Sequence, residues 1–194
     1  GIMDGTEVAI ANVRVELYRD ADANGIPDVG GLVGFDVTDA NGYYLFDNLA
    51  EGSYVVLIPS GNFTASFDPD GGGPLPTAAG ALLGHNSSIP IGTENAGVVG
   101  NPYLPNTDRD DNGINSNTPA TTGILSNTIA LVHNAEPTGE IELSGQADPG
   151  APNDLAFNPT GWDGPASRGR WEEIDANSNL TIDFGFIPVF SLGN

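Results

Sequence analysis

The segment VRVELYR, residues 13–19, alternates apolar and polar side chains without interruption. A strand with one buried face meets that pattern, because successive side chains along a strand point to opposite sides. Val13, Val15 and Leu17 are therefore expected on the core side, with Arg14, Glu16 and Tyr18 on the other. Three further runs follow, VGFDVTD (33–39), GYYLFDNL (42–49) and GSYVVLIP (52–59), with ANG and AEG turns before the last two. Short strands at this spacing predict an antiparallel meander belonging to an all-β sandwich. No convincing helical period occurs; RWEEIDAN supports a turn or two at most.

Beyond Pro59 the character changes, and 13 of the 15 prolines fall between Pro59 and Pro165. This stretch, about 60–165, reads as a long Pro/Gly-rich loop insertion into one module spanning 1–194, with strands expected at ILSNTIALV (124–132) and TGEIEL (138–143). Loops of such length are uncommon in a compact domain unless they are functional or held by something specific. The chain closes on SNLTIDFGFIPVF, a final core strand with Leu180, Ile182, Phe184 and Phe186 facing one way and Thr181 and Asp183 the other.

Charge decides which partners are admissible. The 194 residues carry 26 acidic and five basic side chains, a net charge of −21. Binding to nucleic acid or an anionic membrane surface needs the opposite sign, so neither is expected. No apolar run reaches the length of a membrane span, so membrane insertion is not expected either. Cations are the natural partners. Cysteine is absent, which removes disulfides and thiolate sites as staples. Lysine is absent too, and with it every reaction that needs a side-chain amine.

Three Asp/Asn/Gly clusters suit a calcium ion. In DADANGIPDVGG, Asp20, Asp22, Asn24 and Asp28 hold positions one, three, five and nine, Gly25 allows the turn at six, and Ile26 offers its carbonyl at seven. Position twelve is Gly31 instead of Glu, and a strand precedes the loop, so this is not an EF-hand; the missing carboxylate is sought at Asp39 or Asp47. In DRDDNGIN the same ladder falls on Asp108, Asp110, Asn112 and Ile114. The opening GIMDGTE fits the second half of such a loop, with Asp4 at nine and Glu7 at twelve. Solvated turns compete with this reading, since the same residues are favoured in turns without any ion. Repetition of the pattern in a chain so acidic favours the ion. A site filled at a hundred times its Kd would add about 2.7 kcal/mol.

VRVELYRDADANG, TDANGYYLFDNLAEGSYVV, NTDRDDNGI, EPTGE and DANSNLTIDFGFIP together resemble the SdrD B-like repeat of bacterial surface and extracellular proteins, a relative of the collagen-adhesin B-type module. The resemblance implies a prealbumin/immunoglobulin-like sandwich, calcium stabilisation, and tandem repetition along cell-surface or secreted proteins. Two departures from the family matter. Without lysine there can be no lysine–asparagine cross-link. The family's opening SLGN stands here at residues 191–194, where it reads as the start of a next repeat. The implied role is a non-enzymatic structural module of an extracellular fibre or stalk, joined to neighbouring copies by tandem repetition or by strand addition.

Other functions have weaker support. His85 and His133 are isolated, and no HExxH, G-x-S-x-G or phosphate loop is present, so catalysis is not expected. Trp162 and Trp171 offer a possible platform for a carbohydrate or protein ligand, against the plainer reading that they pack within the fold. The sequons at Asn62, Asn86 and Asn179 are near chance in so Asn-rich a chain; of the three, Asn62 and Asn86 are expected in loops open to glycosylation.

Overall fold

A computed structural model describes residues 8–40, 42, 44–46, 48–71, 78–87, 111–136, 167–168, 173–174, 177, 179, 182–190 and 192. The alternating segment forms β1 (Arg14–Arg19), which lies between β2 (Leu32–Val37) and β3 (Gly52–Ile58), antiparallel to both. Short strands β4 (His85–Ser87), β5 (Ile124–Leu125) and β6 (Ile129–Leu131) follow, then β7 (Ser167–Arg168), β8 (Glu173–Ile174) and β9 (Phe186–Pro188). The main sheet runs β2-β1-β3, and both β5 and β6 pair with the far edge of β3. β4 pairs with β9 and β7 with β8, each antiparallel. Helical geometry among the described residues comprises α1 (Pro119–Thr122), a 3-10 turn at Ser60–Phe63 and the single described position Asn177. The described residues are thus mainly β with antiparallel pairing, consistent with an all-β chain.

Val13, Val15 and Leu17 are buried, and they join Tyr54, Val56 and Ile58 of β3 in one apolar cluster with Phe63, Leu82, Ile124 and Ile129. Tyr44, Phe46, Ile182, Phe184 and Phe186 pack against it. The apolar set expected of the closing segment therefore does face the core at its three described members. Its regular strand is shorter than the pattern suggested, three residues opposite β4.

GYYLFDNL also departs from expectation. Residues 44–46 are in no ladder, although Tyr44 and Phe46 reach the core and meet edge to face, 5.8 Å between ring centres. The Leu45 N–H donates to the Asp36 carboxylate at 2.8 Å, and the Tyr44 hydroxyl to the Ile182 carbonyl at 2.7 Å. A side-chain carboxylate thus serves the Leu45 N–H. ILSNTIALV divides into β5 and β6, with Ser126 between them using both backbone and hydroxyl: its N–H donates to the Val56 carbonyl and its Oγ accepts from the Val56 N–H. Within RWEEIDAN the described residues are Glu173–Ile174, which form β8, and Asn177, which has 3-10 geometry. TGEIEL lies outside the described residues.

Asn62 corrects the expectation that it sits in an open loop. It is fully buried beyond the end of β3, where its Oδ1 accepts the Arg14 N–H at 2.9 Å and its Nδ2 donates to the Arg14 carbonyl at 2.9 Å. One carboxamide thus supplies β1 with both the donor and the acceptor that a strand would. Asn86 lies half-buried within β4, also not in a loop.

On the opposite face of β1, Arg14 pairs with Glu16 at 2.7 Å and stacks over the Phe35 ring, while the Tyr18 hydroxyl donates to Glu16 at 2.8 Å. Burial, the bond to Glu16 and that carboxylate's charge push Tyr18 up to about 12. Burial and the charges of Asp183 and Asp36 push Tyr44 well above the usual phenol value. A folded value above the unfolded one means that this contribution to stability is complete below the ordinary tyrosine range and is lost as pH rises through the folded value. Spectrophotometric titration should show Tyr18 and Tyr44 ionising late. Phenylalanine at either position should delete a late component, and early titration of all five tyrosines would refute the assignment.

Candidate functional site

The first Asp/Asn loop is the connection of the β1–β2 hairpin. β1 ends at Arg19 and β2 begins at Leu32, so residues 20–31 are the whole link. Its base is closed by the Arg19 N–H to the Gly31 carbonyl at 2.8 Å and the Asp28 N–H to the Arg19 carbonyl at 2.9 Å. Gly25, at φ +77°, takes the left-handed turn expected of the sixth position.

Asp20 is the anchor. It is fully buried, and its own N–H donates to the Ser53 carbonyl of β3. One carboxylate oxygen accepts the Asn24 N–H at 2.9 Å; the other accepts the Gly25 N–H at 3.0 Å and the Thr128 hydroxyl at 2.5 Å. The last bond joins positions 108 residues apart and ties the hairpin loop to the approach to β6. Burial alone would raise the Asp20 carboxyl, but the Thr128, Gly25 and Asn24 donors and a bond with Asp22 outweigh it and hold it below the usual range. Because the folded value is depressed, Asp20's contribution is complete above the unfolded value and is lost as pH falls through the folded one. Acid melting curves of Thr128→Val should show a smaller loss of stability across that low-pH window than wild type; identical acid profiles would show that this bond plays no part.

The remaining ladder residues sit around Asp20 with internal partners. Asp22 and Asn24 are exposed and bonded to each other, Asn24 Nδ2 to Asp22 Oδ2 at 2.9 Å. Asn24 Oδ1 accepts the Ile26 N–H at 2.8 Å, and Asp28 Oδ2 accepts the Ala21 N–H at 3.0 Å. Ile26 is exposed. These oxygens are the hard donors a divalent cation such as calcium prefers. In donor chemistry the set fits; in placement, no group of three or more acidic or histidine side chains converges among the described residues. Asp39 cannot complete this loop. It follows the distal end of β2, and the six residues of that strand put it roughly 20 Å from the loop. Asp47 lies outside the described residues.

At the second cluster the structure describes only part of the ladder. Asn112 is buried and clasps the closing segment reciprocally: its N–H donates to the Asp183 carbonyl at 2.9 Å and its Oδ1 accepts the Asp183 N–H at 2.7 Å. Ile114 donates its N–H to the Leu125 carbonyl, and Gly113 bridges to Ser126. Asp111, skipped by the one-three-five numbering, is fully buried and accepts the Gly113 N–H at 2.8 Å. The doubled aspartate in DRDDNG was the available signal. Thr128 had no comparable local signal. Asp108, Asp110, Asp4, Glu7, Trp162 and Trp171 lie outside the described residues.

Comparison with known proteins finds three relatives in Dictyostelium discoideum. The chain is 34% identical to Colossin-A over 108 residues (55% of the chain), 40% identical to Colossin-C over 70 residues (36%) and 41% identical to Colossin-B over 56 residues (29%). These stretches span only 1%, 7% and 2% of the respective relatives' lengths. No family model matches, and no solved structure matches. No helix among the described residues is long and apolar enough to cross a membrane.

Proposed function

We propose that the chain is a non-enzymatic structural module of an extracellular fibre or surface-protein stalk of the SdrD B-like kind, a β-sandwich stiffened by calcium and joined head-to-tail to copies of itself. The observation that carries this reading is the Asp20 anchor. A buried carboxylate, held ionised, starts an oxygen-rich hairpin loop and fastens it across the sheet to Thr128. The similarity to short stretches of much longer proteins is in keeping with a module of a larger assembly. Asp20, Asp22, Asn24, Asp28 and the Ile26 carbonyl are the groups that would hold the ion, which when bound supplies the charge that lets these carboxylates share one place. The chain's own residues supply the scaffold, with the Gly25 turn shaping the loop and Ser53 and Thr128 fixing its base.

Chelation is the test. With one site near saturation, removing calcium should cost about 2.7 kcal/mol, which in a chain of this size lowers Tm by roughly 5–10 °C. Asp22→Ala, whose side chain is exposed, should abolish that calcium dependence while barely changing the Tm of the chelated protein. A Tm indifferent to exhaustive chelation would overturn the calcium reading and leave the structural role to be judged by the intact mass and assembly state of the native polypeptide.

A further inference from the structure

We infer that Asn24 is a latent deamidation site of this chain and that the Asp20 carboxylate holds it in check. The inference concerns the same loop but does not require calcium or any assembly.

Asn–Gly dipeptides occur at 24–25, 41–42 and 112–113. Glycine following asparagine leaves the backbone nitrogen sterically open to the side-chain carbonyl carbon. In the reaction the Gly25 nitrogen gives up its proton and attacks Asn24 Cγ. A new N–Cγ bond forms, the Cγ–Nδ2 bond breaks and ammonia leaves, giving a succinimide. Water then opens the ring to aspartate or isoaspartate, either of which adds a negative charge. No oxidant or cofactor is needed.

Asn24 satisfies most requirements for this chemistry. It is exposed, so base and water reach it. Its Oδ1 accepts the Ile26 N–H at 2.8 Å, which polarises the carbonyl under attack and holds the carboxamide beside its own following peptide. The opposing contact lies at the nucleophile, where the Gly25 N–H donates to Asp20 Oδ2 at 3.0 Å. A nitrogen whose proton is held by a buried carboxylate resists losing it, because the resulting anion would face a like charge.

The other two sites differ in informative ways. The Gly113 N–H is held in the same manner by Asp111 at 2.8 Å, and Asn112 is buried away from water, so both steps are obstructed. The Gly42 N–H donates to a neutral carbonyl, that of Asp39, at 3.1 Å. Asn41 therefore serves as the internal reference within the same molecule.

The experiment is peptide mapping by mass spectrometry after incubation at mildly alkaline pH, with the Asn24 rate expressed relative to Asn41. In native wild-type protein this ratio should be roughly tenfold or more below its value in urea-unfolded protein. Asp20→Asn that still melts cooperatively should raise the native ratio to near the unfolded one. Thr128→Val loosens the loop but leaves the Gly25–Asp20 bond in place, and should keep the ratio low. Equal ratios in native and unfolded wild type would overturn the inference. So would a folded Asp20→Asn that stays slow, or a Thr128→Val that speeds Asn24 as much as Asp20→Asn does. If Asp20→Asn fails to fold, the native-to-unfolded comparison and Thr128→Val decide the matter.

Discussion

Replacing Asn62 by alanine is expected to destabilise the fold by about 2–4 kcal/mol, lowering Tm by roughly 5–15 °C. The size of the effect follows from what is left behind. Asn62 Oδ1 and Nδ2 satisfy the Arg14 N–H and carbonyl, and Nδ2 also donates to the Pro59 carbonyl at 3.2 Å. Alanine would strand the main chain of β1 beside a void, and a buried polar group without a partner costs more than a bond is worth on average. Asn62→Asp would keep an acceptor for the Arg14 N–H while placing a carboxylate against two carbonyls. It should be no better tolerated than alanine. Thermal melting of both variants is the measurement. A loss under about 1 kcal/mol would mean that water replaces the carboxamide at no cost. The same burial predicts that Asn62, although it heads the sequon NFT, stays unglycosylated in folded protein.

Asp20→Ala should cost a comparable amount, about 2–4 kcal/mol, and its signature should be local. The Asn24 and Gly25 N–H groups lose their acceptor, so hydrogen exchange across residues 20–31 should accelerate before that of β3 does. Thr128→Val removes only the hydroxyl donor and should cost less, about 1–2 kcal/mol. The double variant should cost less than the two single losses added, because both remove the same bond. Strict additivity would show that the Asp20–Thr128 contact contributes nothing to the folded protein.

How far the sequence foretold this structure varies along the chain. Alternation over 13–19 identified β1 and its buried side, because burial on one face of a sheet leaves a period of two in the residues themselves; 52–59 is recognisable as a strand, but Tyr54, Val55 and Val56 are all buried, so no single face of β3 can be read from it. At residues 42–49 the same rule sets Tyr43 and Tyr44 on opposite sides without saying which is inward, and it cannot say whether a backbone partner lies alongside; Tyr44, Phe46 and Leu49 all pack against the core. There the Asp36 carboxylate bonds the Leu45 main chain and the Tyr44 hydroxyl reaches the Ile182 carbonyl. The DADANG spacing located the hairpin loop and its left-handed glycine. It could not give Thr128, whose link to Asp20 depends on tertiary folding. The sequon at Asn62 misleads for a related reason. A sequon reports only three residues, whereas the role of this asparagine is set by a strand 48 positions earlier. The one-three-five spacing skips Asp111, because spacing does not encode burial.

The placement of β1 also fixes how the molecule responds when pulled. Tension entering through Val13 runs along β1, which is laced on one side to β2 and on the other to β3, with Asn62 prolonging the second row. Those bonds lie across the load and must fail together in shear. Tension leaving through Phe190 instead meets β9, held to β4 over three residue pairs at a short two-stranded edge. Pulling at Phe190 is therefore expected to free β9, with its three described residue pairs, before it opens the two ladders that clamp β1.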